Sequence, residues 1–286
     1  MITDFINRAS KLFERGWMTK GAKPVCLITG ASAGIGAAIA TEYAARGWDL
    51  ALCARREDPM IALAKDLKKD FETTSHIFPV DLFEAGAIEE LLGRIAAKNL
   101  HIDGLVNNAG YGHPGGYLDS AWEDHANFLQ LMLTAPCELA RKLTPAMTEK
   151  GFGRVINVAS LAGHLPGSKG HTLYAAVKSF LIKFSESLNM ELSGTGVHVS
   201  ALCPGFVFTE FHDVNGTRDA VNKLPGFMFM EAEECAELAV EACERNRAVF
   251  IPGGVNKSLA ILNRALPSTV AQNLMARNSH RVRKGS

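Results

Sequence analysis

Val25-Cys26-Leu27-Ile28-Thr29-Gly30-Ala31-Ser32-Ala33-Gly34-Ile35-Gly36 is the stretch that decides how this chain is read. A short apolar run stops in a turn containing Gly30, Gly34 and Gly36, and a helical pattern follows over residues 35 to 46. Glycines let the backbone turn tightly and approach a pyrophosphate, and the free N–H groups and dipole of the next helix favour an anion there. A glycine triplet alone also fits a plain strand-to-helix turn, so its meaning depends on its neighbours.

Working outward, the same alternation repeats. Strands are predicted at 25–29, 50–54, 74–80 (ending Pro79-Val80-Asp81), 104–106, 154–158 and 197–202, with helices over 35–46, 59–70, 84–98, 122–149 and 172–193 between them. A further helix is read over about 231 to 245. No Ser/Gly-rich or charged linker interrupts residues 24 to 206, so one continuous α/β domain is expected, with a parallel, doubly wound sheet of Rossmann type and right-handed crossovers. The helix from Thr172 carries Val177, Phe180, Leu181, Ile182, Phe184, Leu188 and Met190 on nearly all sides. That is more apolar surface than one sheet face can cover, and a homo-oligomer is expected.

Several further motifs occur in one order. Asp81-Leu82 follows the third strand, Asn107-Asn108-Ala109-Gly110 the fourth and Ser160 the fifth; Tyr174-x-x-x-Lys178 and Pro204-Gly205 complete the series. With the T-G-x-x-x-G-x-G spacing they resemble the short-chain dehydrogenase/reductase family over residues 24 to 255. The resemblance implies a nicotinamide cofactor across the strand ends. Gly30, Ser32, Gly34, Ile35 and Gly36 would face its pyrophosphate, Asp81 and Leu82 its adenine end. Asn108, Ala109 and Gly110 would line the central strand, and Pro204, Gly205, Val207 and Thr209 the nicotinamide end.

Cofactor choice rests on a separate observation. NAD sites usually place an acid at the end of the second strand to accept the ribose hydroxyls; here Ala54 is followed by Arg55 and Arg56. An acid repels a 2′-phosphate and a guanidinium binds it, so NADP(H) is expected, with Arg55 as its ligand.

Tyr174 and Lys178 stand four apart and share one helix face. A free tyrosine titrates near ~10, and an ammonium about 4 Å away at an effective dielectric of about 20 is worth roughly 4 kcal/mol, or up to about three pKa units. Lys178 is therefore expected to make Tyr174 a usable acid. In the family the tyrosine protonates the carbonyl oxygen, the serine, here Ser160, hydrogen-bonds it, and the lysine also binds the nicotinamide ribose. Ser160, Tyr174 and Lys178 are the expected catalytic residues. Family members usually add an asparagine just before the stretch that here reads Leu133-Thr134-Ala135-Pro136, where it holds a water against the lysine; this chain has Met132. Asn127 lies about 140° away around the helix and is no substitute. Losing such a contact costs roughly 1.5–3 kcal/mol, which attenuates an enzyme without abolishing it.

The expected activity is interconversion of a ketone and a secondary alcohol. After Thr209 a lid over about 206 to 230 offers Phe206, Phe208, Phe211, Leu224, Phe227 and Met228 as walls, which favours a hydrophobic carbonyl or alcohol substrate over a sugar. Met132 also motivates a second reading, a low-turnover NADP(H)-binding sensor or scaffold. His113, His164 and His171 are read as surface or lining residues, not catalysts.

Composition sets the remaining bounds. With 47% hydrophobic and 21% charged residues the chain is neither disordered nor fibrous. Six cysteines form no C-x-x-C pair and no zinc-ligand spacing, so no metal is expected and the thiols read as buried and reduced. No apolar run approaches 18 residues and charges interrupt the first segment, so the expectation is a cytoplasmic chain that neither spans a membrane nor is secreted. Thirty basic and thirty acidic residues cancel, but unevenly: residues 245–286 hold eight Lys or Arg and no acid, and residues 1–23 hold five against two. Residues 1–23 read as a basic amphipathic helix, 24–255 as the nucleotide-binding domain, and 256–286 as a basic C-terminal extension of two amphipathic pieces broken at Pro267. These ends either pack on the chain's own sheet or a neighbouring subunit, or make peripheral contact with an anionic membrane. Nucleic acid is not expected, because the body between them is acidic.

Overall fold

Strands covered on both faces need apolar side chains at every position, and β1 (Val25–Thr29) is buried at all five. The computed structural model describes residues 23–112, 116–170, 172–209, 225–267 and 269–273; the N-terminal amphipathic reading, part of the lid and the end of the basic C-terminal extension lie outside them. From β1 the chain runs through α1 (Gly34–Ala45), β2 (Asp49–Ala54), α2 (Glu57–Phe71), β3 (Ser75–Pro79), α3 (Ala87–Ala97) and β4 (Ile102–Asn107). It continues through α4 (Trp122–Leu129), α5 (Ala135–Lys150), β5 (Gly153–Val158), α6 (Thr172–Glu191) and β6 (Val197–Leu202). The short β7 (Phe206–Val207) and β8 (Phe229–Met230) pair with each other, and α7 (Ala232–Glu244), β9 (Val249–Phe250) and α8 (Gly254–Ala265) complete the described chain.

Seven strands form one parallel sheet in the order β3-β2-β1-β4-β5-β6-β9. This is the doubly wound Rossmann-type arrangement expected from the alternation. Ile39, Tyr43, Met60, Ala236 and Val240, from α1, α2 and α7, bury one face, and Leu91, Phe128, Leu139 and Val177, from α3 to α6, bury the other. Helices therefore leave β1 and β4 toward opposite faces. The divergence opens a crevice at the carboxyl ends of those two neighbours, the usual ligand position in such sheets.

Two features fix the interior beyond hydrophobic burial. A polar seam runs from Asn107 Nδ2 to Asn157 Oδ1 at 2.8 Å, and from Asn157 Nδ2 to Ser185 Oγ at 2.9 Å. It ties β4 to β5 and β5 to α6, the helix that carries Tyr174. At the opposite end, Arg154 is 2% exposed and donates through Nε to Glu244 at 2.8 Å and through Nη1 to Gly153 O at 2.7 Å, with its guanidinium 4.5 Å from the Phe152 ring centre. The pair locks the end of α7 onto the start of β5.

One expected helix is interrupted. The stretch read as continuous over 122–149 contains a π-helical turn at Gln130–Thr134. Pro136 has no N–H to continue the regular ladder, and Ala135 N donates five residues back to Gln130 O. A π turn of this kind often marks a functional position.

Breaking a buried ion pair leaves a charge without compensation, at roughly 3–5 kcal/mol, whereas removing both charges can be nearly neutral. Arg154→Met is therefore expected to lower unfolding free energy by about that amount in urea titration, and Arg154→Met/Glu244→Leu to recover most of it. A single-variant loss below about 1 kcal/mol would show that the pair does not anchor α7.

Candidate active site

The glycine turn is shaped by contact with β4. Asn108 Nδ2 donates to Thr29 O at 3.0 Å and Gly30 O at 3.1 Å. Thr29 Oγ1 donates to Val106 O and accepts from the backbone N–H groups of Asn108 and Ala109 at 3.0 and 3.1 Å. A Cβ on Gly36 would lie 2.3 Å from Gly30 O and 2.4 Å from Asn108 Nδ2, and Gly30 adopts φ +67°. Both positions therefore require glycine. Ala33 precedes α1 without a side-chain cap, and the first turn holds no acid, so the helix N-terminus keeps donors for an anion. Ile35 packs on the core, while Thr209 lies against Gly34, with a Cβ there 3.1 Å from its side chain.

At the end of β2 the two arginines diverge. Arg55 Nη1 lies 4.0 Å from Asp81 Oδ2, with its guanidinium 5.5 Å from the Phe83 ring centre, and Asp81 Oδ1 accepts from Phe83 N. Arg56 Nη2 donates instead to Ser32 Oγ at 3.4 Å. Arg55, the expected phosphate ligand, thus lies beside Asp81, and its neighbour Arg56 lies against the glycine loop. Side-chain direction at a strand end leaves no trace in composition or spacing. Leu82 is buried beside Asp81.

Ser160, Tyr174 and Lys178 come together. Ser160 follows β5, and its Oγ accepts from Ala162 N at 3.1 Å, while Leu161 N donates to Pro204 O at 2.9 Å. The Pro204-Gly205 turn thus braces the serine loop. Tyr174 is half-buried as a residue; desolvation of its hydroxyl end raises it above the ordinary tyrosine value, and the hydrogen bond with Ser160 works in the opposite direction. Lys178 is 6% exposed, donates to Val158 O at 2.6 Å and stands 5.6 Å from the Tyr174 ring centre. Burial pulls its pKa down to about 8. The expectation that Lys178 lowers Tyr174 is not met in this geometry, because a backbone carbonyl engages the ammonium and desolvation dominates the phenol.

Met132 lies in the π turn, 2% exposed, among Phe128, Leu131 and Leu139. Its sulfur covers Gly110, where a Cβ would approach Sδ to 2.5 Å. Gly205 meets Asn256 of α8 in the same way, at 2.5 Å. Val207 is buried; Phe208 stacks on Phe229 with ring centres 4.7 Å apart, and Phe206 lies tilted against the same ring at 5.6 Å. Phe211, Leu224, the side chain of Phe227, His113 and His171 lie outside the described residues. His164 is half-buried and its imidazole is lowered by desolvation, so it is neutral at pH 7. Among the described residues no group of three or more His, Cys, Asp or Glu could hold a metal ion.

A glycine-turned crevice beside a Ser–Tyr–Lys cluster defines an oxidoreductase site, and a family model described as short chain dehydrogenase matches residues 24–219. The chain belongs to the short-chain dehydrogenase/reductase family. It is similar to the 3-oxoacyl-[acyl-carrier-protein] reductase FabG of Buchnera aphidicola, 30% identical over 81% of this chain and 93% of that protein. Among solved structures it resembles a short-chain dehydrogenase from Sphingobium yanoikuyae in complex with NADPH, with TM-score 0.75, 33% identity and coverage of 88% and 94% of the two chains. It also resembles the bulky-bulky ketone specific alcohol dehydrogenase from Comamonas testosteroni, with TM-score 0.71, 30% identity and coverage of 92% and 96%.

The Lys178 environment can be tested without substrate. The folded protein disfavours its ammonium, so the cost is fully present below about pH 8 and is relieved as pH rises from there toward 10.5, the ordinary lysine value. Lys178→Met is expected to stabilise the protein by about 1–2 kcal/mol at pH 7, after allowing for the lost bond to Val158 O. The advantage should shrink above pH 8. An advantage that stayed flat from pH 7 to 10 in urea titrations would show that Lys178 is not penalised by burial.

Proposed function

We propose that the protein is an NADP(H)-dependent reductase or dehydrogenase that interconverts a hydrophobic ketone and its secondary alcohol. The observation that carries the cofactor reading is the end of β2. It offers no acid to ribose hydroxyls, and Arg56 leans onto Ser32 of the glycine loop while Arg55 lies beside Asp81. The residues fit the cofactor: the uncapped start of α1 suits a pyrophosphate, and a guanidinium beside it suits a 2′-phosphate. When bound, NADP(H) supplies or accepts the hydride.

The chain's own groups handle the oxygen and the proton. The Tyr174 hydroxyl gives its proton to the carbonyl oxygen in reduction and takes it back in oxidation, and Ser160 Oγ hydrogen-bonds the same oxygen. At pH 7 the Tyr174 phenol carries the proton it has to give; desolvation raises it and so weakens it as an acid, and the hydrogen bond with Ser160 works against that rise. Lys178 keeps the end of β5 fixed under that residue and places a cation near it. The side chain of Met132 cannot hold a water, yet Pro136 has no N–H with which to occupy the Met132 carbonyl four residues earlier. The regular donor four residues on is thus missing for that oxygen. This favours turnover over the alternative reading, a low-turnover NADP(H) sensor or scaffold.

The aromatic cluster of Phe206, Phe208 and Phe229 supports an apolar substrate. On α6, Phe180 and Met190 are 38% and 69% exposed, a face suited to a second copy of the chain. Six free thiols fit a reducing compartment such as the cytoplasm.

Purified protein is expected to consume NADPH with members of a panel of apolar ketones. Tyr174→Phe should cut kcat by about 10²–10⁴-fold while leaving the NADPH dissociation constant nearly unchanged. Wild-type turnover in that variant, or none with any ketone in the native protein, would overturn the reading.

Arg56→Glu is expected to weaken NADPH binding by about ten- to 100-fold and to spare NADH, with Arg55→Asp acting in the same direction. Fluorescence titration of both cofactors checks this. Tighter NADH than NADPH binding by the native protein would reverse the assignment.

A further inference from the structure

α8 is fastened to the body by polar side chains and turns apolar ones outward. Asn256 Nδ2 donates to Pro252 O at 2.9 Å, and its side chain fills the space over Gly205. Ala260 is buried, and Asn263 Nδ2 donates to His164 O at 2.6 Å, in the loop that follows Ser160. Positions 256, 260 and 263 are one helix face. Val255, Leu259 and Leu262 form a parallel stripe about 90° around the helix and remain 42%, 38% and 55% exposed. Ile261 is 69% exposed, and beyond Pro267 Val270 adds a further 43%. An ordinary surface helix buries its apolar stripe and exposes its amides. Exposed apolar residues repeating along one side of a helix, with Ile261 about 100° beyond Leu262, mark a contact surface.

The charge around the stripe indicates what covers it. Lys257 and Arg264 lie on the same helix, and residues 245–286 carry eight Lys or Arg with no Asp or Glu. We propose that α8 docks the protein on an anionic lipid surface, with Val255, Leu259, Ile261 and Leu262 in the acyl boundary and the basic residues at the headgroups. Apolar residues beside cations are what interfacial attachment requires. A second copy fits less well, because a two-fold contact about this stripe sets one basic segment against the other with no acid in it to compensate. Among the described residues no helix is long and apolar enough to cross a membrane, so the contact lies in the interface plane. The docking is independent of the carbonyl-reductase reading. It does place the lipid-facing stripe on the helix that Asn256 and Asn263 hold against the Pro204-Gly205 turn and the loop after Ser160.

The test is co-sedimentation of the full chain with phosphatidylcholine vesicles, with and without about one third phosphatidylglycerol. The native protein should pellet with the anionic vesicles, bind those of phosphatidylcholine alone at least fivefold less, and be released in part by high salt. Leu259→Ser/Leu262→Ser and Lys257→Glu/Arg264→Glu should each weaken binding at least fivefold. All four side chains are in exposed positions, and an unchanged melting temperature and NADPH affinity would show that the fold is kept. Native protein that stays in the supernatant overturns the proposal, as does full binding by the leucine variant. A leucine variant that dissociates an oligomer in light scattering, with no vesicle binding by the native chain, would assign the stripe to a second copy.

Discussion

One asparagine amide spans the place where the sheet splits. β1 and β4 are neighbours whose helices depart to opposite faces, and the Asn108 side chain bridges them by donating to Thr29 O and Gly30 O. The bridge brings the glycine turn so close that no Cβ fits at Gly36. Beside it Thr29 Oγ1 accepts from Ala109 N and so holds the far wall, where the Met132 sulfur covers Gly110. The glycine turn and the wall that faces it, proposed above to hold the cofactor, are positioned by one short set of contacts.

A second set carries that order from the crevice to the cluster of Ser160, Tyr174 and Lys178. The Asn107–Asn157–Ser185 seam holds α6 against β5, Lys178 pins Val158 from α6, and Pro204 O holds Leu161 beside Ser160. Each link is a hydrogen bond shielded from much of the solvent, where loss of one partner strands the other. Lys178 shows the cost: its ammonium is kept where water cannot solvate it, and the fold tolerates an unfavourable charge to have a cation beside the tyrosine.

The sheet was legible in the sequence because buried parallel strands leave apolar runs of fixed length between helical periods, and β1 and β6 have the expected limits. The Ser160, Tyr174 and Lys178 cluster was legible from order and spacing. Three things were not. The π turn at Gln130–Thr134 lies inside an unbroken helical period, and only Pro136 hints at it. The separate directions of Arg55, beside Asp81, and Arg56, beside Ser32, depend on how β2 ends. The sign of the Tyr174 shift depends on desolvation and on a carbonyl claiming Lys178, neither of which spacing encodes. At α8 the period was correct, but periodicity gives the existence of two faces and not which one meets the body.

The cysteines have a practical consequence. Cys26, Cys53, Cys203, Cys235 and Cys243 are buried, spread from β1 to α7, and desolvation raises every one; Cys53, Cys203, Cys235 and Cys243 are pushed up to about 12. Alkylating reagents need thiolate and access together, so these sulfurs stay silent while the sheet is closed. Cys137 on α5 is the half-buried one. The polypeptide therefore contains its own reporters of local opening. Five sites distributed over the sheet and α7 become reactive only when the element around them breathes, and the order in which they label maps which parts of the molecule loosen first.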